Sequence, residues 1–136
     1  MTSFETAQKL KVAGFPQPEP SEGQFWYNAF EDRFVVISMS YRRAFVGYCG
    51  HTKTAAILLD QFAFSVFAPT ATDILLQLPD GHSLTRSNQD MFICTEGKPL
   101  MGTNGVETNP AEAAAIDWFE WKGIETRDEW FFKKYD

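Results

Sequence analysis

The sequence is short of cysteine, of histidine and of positive charge. Two cysteines, Cys49 and Cys94, stand in 136 residues, and neither belongs to a C-x-x-C pair. So few sulfurs exclude a disulfide framework and predict free thiols in a reducing cytosol. Lys and Arg number 12 against 18 Asp and Glu, for a formal net charge of −6. Non-specific nucleic-acid binding needs a basic footprint, so no nucleic-acid partner is expected. The acidic residues are scattered rather than gathered into the dense face of a DNA mimic. No apolar run reaches the roughly 20 residues of a membrane span. The richest stretch, Ala55 to Pro69, is broken by Asp60 and Gln61. The opening MTSFETAQKL lacks a basic flank followed by an apolar run, so no leader is expected and no membrane partner either.

Catalytic signatures are absent too. There is no G-x-x-x-x-G-K-[ST], no G-x-G-x-x-G and no G-x-S-x-G; GKPLMGTNG carries its glycines and lysine in the wrong order to cradle phosphate. Cys49 and His51 flank Gly50, but structural zinc needs four ligands and no second pair stands near in sequence, with Cys94 and His82 both remote. No family signature surrounds either cysteine to suggest a Cys–His nucleophile pair. Glu31 and Asp32 fall in an expected turn, and Glu112, Asp117 and Glu120 are expected on the wet side of the last helix. The reading is therefore a chain with no catalytic residue, no metal and no cofactor, which is not an enzyme.

What the sequence has in excess is aromatic residues, 15% of the chain, among them 13 Phe. They need a core, a partner surface or a ligand cleft. Thr2 and Glu5 have capping-box spacing ahead of Phe4, Ala7 and Leu10, and Gly14 supplies a left-handed stop on which Phe15 folds back. Pro16 to Gly23 reads as an ordered connector. Gln24 to Phe30 and Phe34 to Met39 form a hairpin pattern around Glu31, Asp32 and Arg33. Tyr41 to Thr54 is the least legible part: Phe45, Val46 and Tyr48 could extend a strand, while Gly47, Gly50 and the polar residues around His51 read as a loop. Ala55 to Leu59 and Phe62 to Phe67 look extended, although Ile57 to Leu59 could be helical. Thr70 and Asp73 open a helix with Ala71, Ile74, Leu75 and Leu78 on one face. His82 to Arg86 and Met91 to Glu96 form a second hairpin around Ser87 to Asp90, and Gly97 to Gly105 is read as a flexible loop. Finally Asn109 caps, Pro110 takes the first helical position, and Ala111, Ala114, Ala115 and Trp118 share a stripe that lets the helix approach a sheet closely. Trp130, Phe131 and Phe132 in the tail are expected to dock on the body. The order predicts an α+β fold: a single domain over residues 1–136, with a mostly antiparallel sheet and about three helices on one face.

One constellation points to a ligand. Tyr41, Arg42 and Arg43 are the only adjacent arginines beside an aromatic residue. Two guanidinium groups and a ring can hold an anion by bidentate contacts and stacking. Tyr48 and His51 follow, and Trp26 could stack a base, so these six residues are the candidate pocket for a phosphate-bearing or nucleotide-like ligand. The competing reading is a strand edge whose arginines pair with surface carboxylates, with the Trp26 ring in the core.

Three segments, SFETAQKLKVAGFPQP, FAPTATDILLQLP and NPAEAAAIDWFEWKG, occur in an order that resembles a group of small proteins of bacterial phages, prophages and other mobile elements. The resemblance covers about half the chain and rests mainly on caps and helix faces. It implies a context, an accessory protein in the host-cell cytosol, and transfers no catalytic residue. The leading expectation is a non-enzymatic protein that binds a host protein or its own copy, its exposed aromatics supplying the hot spots. The alternative is a sponge for an anionic, nucleotide-type signal of bacterial antiviral defence.

Overall fold

A computed structural model describes residues 1–50, 52–86, 92–96, 105–107 and 109–124, with 92–96 and 105–107 described as backbone. The chain divides into two compact units, Ser3–Pro69 and Met1–Thr2 with Thr70–Asp136. Both combine helix with antiparallel strands, so the class is α+β as the sequence predicts. No helix among the described residues is long and apolar enough to cross a membrane.

In the unit Ser3–Pro69, α1 (Phe4–Val12) starts one residue later than its capping pattern suggests. Ser3 Oγ accepts the Thr6 N–H at 3.2 Å, while Thr2 is buried. Glu5 in the first turn and Lys9 and Lys11 in the last complement the helix dipole. Gly14 adopts φ +97° and Phe15 N–H returns to Leu10 O at 2.8 Å, closing the helix as expected. Five strands follow in the spatial order β4 (Thr54–Leu58), β3 (Arg43–Tyr48), β2 (Arg33–Ser40), β1 (Phe25–Tyr27), β5 (Val66–Phe67), all antiparallel. The β1–β2 connection is set by Asn28, whose Oδ1 accepts the Phe30 and Asp32 N–H groups.

Strand alternation sends Trp26, Phe34, Val36, Ala44 and Val46 to one face. There the Phe62 ring meets Trp26 at 5.0 Å and Phe34 at 5.9 Å, edge to face. Phe62 belongs to a 3₁₀ helix, Leu59–Phe64, where the sequence suggests extended chain; only Val66–Phe67 of that run is strand. On the opposite face Tyr27, Val66, Ala68 and Ala7 of α1 form a cluster with Phe4 and Phe25. The helix thus covers the β1–β5 side of this face.

In the second unit Thr70 caps α2 (Ala71–Leu75). Its N–H donates to Asp73 Oδ2 at 2.8 Å and its Oγ1 accepts the Asp73 N–H at 3.2 Å. The helix ends at Leu75, and Leu78 is reached through a turn instead. Three strands, β6 (His82–Arg86), β7 (Phe92–Glu96) and β8 (Gly105–Glu107), form an antiparallel sheet. The β6–β7 hairpin matches expectation; its turn, 87–90, lies outside the described residues, and β8 starts at Gly105, where a loop was predicted to end. The tail, 125–136, also lies outside them. Helix α3 (Pro110–Trp121) packs on α2 and on all three strands. Asn109 Oδ1 accepts the Ala111 N–H at 2.8 Å. The alanine stripe is buried as predicted, but so is every residue from Ala111 to Phe119. That includes Glu112 and Asp117, which the sequence reading put in water. A helix buried all round has no wet side on which to place them.

Candidate functional site

Of the six residues proposed for an anion pocket, the structure sets Trp26 and Tyr48 apart from Tyr41, Arg42 and Arg43. Tyr41 and Arg42 form the turn between β2 and β3, with Ser40 paired to Arg43 across it. Arg42 has φ +67°, an unusual conformation for a side-chain-bearing residue, and its guanidinium carbon lies 5.0 Å from the centre of the Tyr41 ring. Tyr41 is 84% exposed, and Arg42 and Arg43 are exposed as well. Among the described residues neither arginine forms an ion pair, so the expected pairing with surface carboxylates is not what holds them.

Tyr48 lies at the far end of β3, five residues from Arg43, which at strand rise is roughly 16 Å. Its ring packs on Phe34 at 5.8 Å. Trp26 is buried between Phe62 and Phe67, and its Nε1–H donates to Gln24 Oε1 at 3.1 Å. At 2% exposure and with its donor used internally, it is not open to stack a ligand. His51 lies outside the described residues. Among the described members, a hairpin tip of Tyr41, Arg42 and Arg43 stands without Tyr48 or Trp26 beside it.

Cys49 is a half-buried free thiol after β3, and its N–H donates to Arg33 O at 2.8 Å. Arg33 is held above its already high ordinary pKa, chiefly by a hydrogen bond with Cys49 and against the cost of burial; Coulombic attraction to Cys49 and contact with Tyr27 add to it. Among the described residues no group of His, Cys, Asp and Glu could hold a metal.

The feature the sequence reading did not single out is a bare sheet face. On the side where α1 covers β1 and β5, the β2–β3–β4 half is open. Ile37 is 53% exposed, Phe45 45% and Leu58 is exposed too. Ile37 is the extra residue of a bulge in β2, between the Val36–Val46 and Ser38–Phe45 pairs. Its Cδ1 would lie only 3.0 Å from a Cβ at Gly47, so glycine is what lets Ile37 lie down across β3. Phe45 faces Ala56 and Arg43 faces Leu58 in register, which joins the apolar patch to the arginine tip.

A second feature is buried in the other unit. His82 Nδ1 and Asp117 Oδ2 are 2.6 Å apart, with side-chain exposures of 5% and 0%. A carboxylate on Nδ1 fixes the ring orientation and leaves Nε2 as the available nitrogen, an arrangement shared by catalytic and purely structural histidines. Among the described residues no hydroxyl, thiol or second carboxylate hydrogen-bonds that Nε2. The pair therefore ties β6 to α3 and has no nucleophile beside it there. The available sequence signal was an aspartate four residues after Ala113 in an alanine-rich helix.

No family model matches this chain, and no curated protein or solved structure shows significant similarity to it.

Proposed function

We propose that this chain is a non-enzymatic accessory protein of a bacterial phage or mobile element, working in the host cytosol by binding a host protein or a second copy of itself. The observation that carries this reading is the open half of the five-stranded sheet, where Ile37, Phe45 and Leu58 are exposed beside a strand edge that no other described strand pairs with. Contiguous apolar surface of this kind marks interaction sites, and aromatic anchors dominate their energetics. The mobile-element context is supported by the resemblance of the three capped segments. The test is capture of protein from bacterial lysate together with light scattering, comparing the wild-type chain with an Ile37→Glu, Phe45→Glu variant. The wild type should retain a defined protein or self-associate, and the variant should do neither. A wild-type monomer that retains nothing overturns the proposal.

A second reading is favoured by two exposed arginines that form no ion pair among the described residues: a site for an anionic, nucleotide-type ligand at Tyr41, Arg42 and Arg43. Here the turn projects both charges and a ring into solvent, which suits a phosphate and a base. Thermal-shift measurements against nucleotides and cyclic dinucleotides should give stabilisation that Arg42→Ala and Arg43→Ala remove. No shift with any of these compounds ends this reading.

A further inference from the structure

The two edges of the five-stranded sheet are finished differently. At the β5 edge, Ala68 N–H bonds Phe25 O, so Phe67 N–H points away from β1, and Gln17 Oε1 accepts it at 3.0 Å. Lys11 Nζ then donates to Ala63 O and Ser65 O, fastening α1 across the approach to that edge. At the β4 edge, the flanking bonds Leu59 N–H to Arg42 O and Tyr48 N–H to Lys53 O fix the alternation. They make Ala44–Ile57 and Val46–Ala55 the bonded pairs, so the N–H and C=O groups of Thr54, Ala56 and Leu58 point outward. Leu58 N–H is taken by Gln61 Oε1 at 3.2 Å. Among the described residues nothing pairs with the groups of Thr54 and Ala56, on an exposed strand, TAAIL, with no charge, proline, glycine or bulge to protect it.

We infer that β4 pairs antiparallel with β4 of a second copy about a two-fold axis at Ala55, joining two five-stranded sheets edge to edge. This deepens the association reading above by naming the partner. The register follows from what is free. Thr54 exchanges both its backbone bonds with Ala56 of the second copy and Ala56 with its Thr54, giving four hydrogen bonds, and the Gln61 cap on Leu58 stops the ladder there. The seam is uncharged and lined by Ala55 and Ala56, so nothing bulky opposes close approach. Each Lys53 falls opposite Ile57 of the other copy, and the two Lys53 residues are offset by four residues, roughly 13 Å, beyond a physiological Debye length. The apolar patches of Ile37, Phe45 and Leu58 then continue from one copy's sheet into the other's.

The test is sedimentation velocity of the full chain from low to high micromolar concentration, with two variants. Ala56→Pro removes an outward N–H that β3 does not use, a substitution an edge strand accepts. Ala55→Cys, in a Cys49→Ser, Cys94→Ser background, places two thiols across a non-bonded pair at cross-linking distance. The expected results are a concentration-dependent dimer for the wild type, a monomer with an unchanged circular-dichroism spectrum for Ala56→Pro, and an oxidised homodimer for Ala55→Cys. A wild type that stays monomeric, an Ala56→Pro chain that dimerises as well as the wild type, or an Ala55→Cys chain that fails to cross-link overturns the pairing; if Ala56→Pro does not fold, the cross-link decides. A monomer that captures another protein through Ile37 and Phe45 overturns self-pairing and leaves the broader reading standing, whereas a monomer that captures nothing removes both.

Discussion

The two units of this chain break the rule of apolar inside and polar outside in opposite directions. The unit Ser3–Pro69 leaves Phe30, Ile37, Tyr41, Phe45 and Phe64 exposed around a well-filled aromatic core. The unit that runs from Thr70 puts Asp117 and Glu112 on a helix buried all round, and ties Asp117 to the imidazole of His82. Burial of a charged group is costly unless it is bonded, and exposure of a ring gives up its transfer free energy. The first departure therefore makes sense as surface held for a partner and the second as internal architecture. One unit spends polar groups on fixing its own geometry, while the other keeps apolar groups available.

The largest expected effect lies in the buried pair. Asp117→Ala strips His82 Nδ1 of its acceptor and leaves a cavity at the centre of α3, so urea unfolding should show a loss of about 3 kcal/mol. Asp117→Asn keeps a carbonyl acceptor of the same shape and should lose clearly less. If the alanine variant is as stable as the wild type, the pair does no structural work and the contrast between the units fails on that side.

How much of this was readable beforehand follows from the range of each interaction. The Thr70–Asp73 box, the Asn109 cap and the Gly14 stop were legible because capping is settled within four residues. The hairpins over 25–40 and 82–96 were legible from alternation between turn signals. The 3₁₀ helix at Leu59–Phe64 was not, because a short apolar run carries no period to distinguish helix from strand. Asp117 was misplaced because its partner stands 35 positions away, and a helical pattern alone does not reveal that both its faces are covered. Trp26 and Tyr48 stand apart from the arginine tip for a related reason. Tyr41 to Arg43, Tyr48 and Trp26 are near in sequence, but a strand carries near residues apart and alternation sends them to different faces. The bare sheet half was illegible because which face α1 covers is decided by packing between distant segments.

A smaller effect is expected at the arginine tip. Arg42 holds a left-handed conformation that costs a side-chain-bearing residue about 1 kcal/mol and costs glycine nothing. Arg42→Gly relieves that strain, although glycine's extra freedom in the unfolded chain returns part of it. The net gain in urea unfolding should be about 0.5 kcal/mol, with any anion-dependent thermal shift lost. A destabilised Arg42→Gly chain would mean that the stacking on Tyr41 holds the turn, and the tip would belong to the fold rather than to a ligand.

The smallest effect sharpens the comparison most. Phe30 is 85% exposed and Tyr41 nearly as much, so neither ring is withdrawn from water by the fold. Phe30→Ser and Tyr41→Ser should each change the urea-unfolding free energy by less than about 0.5 kcal/mol, as surface substitutions do. A ring that can be removed without cost to folding, in a unit that buries Phe34, Trp26 and Phe62 so thoroughly, is surface left over for something other than the core. If either serine variant instead loses more than about 1 kcal/mol, that ring stabilises the fold, and the unit Ser3–Pro69 holds less apolar surface in reserve than its exposure indicates.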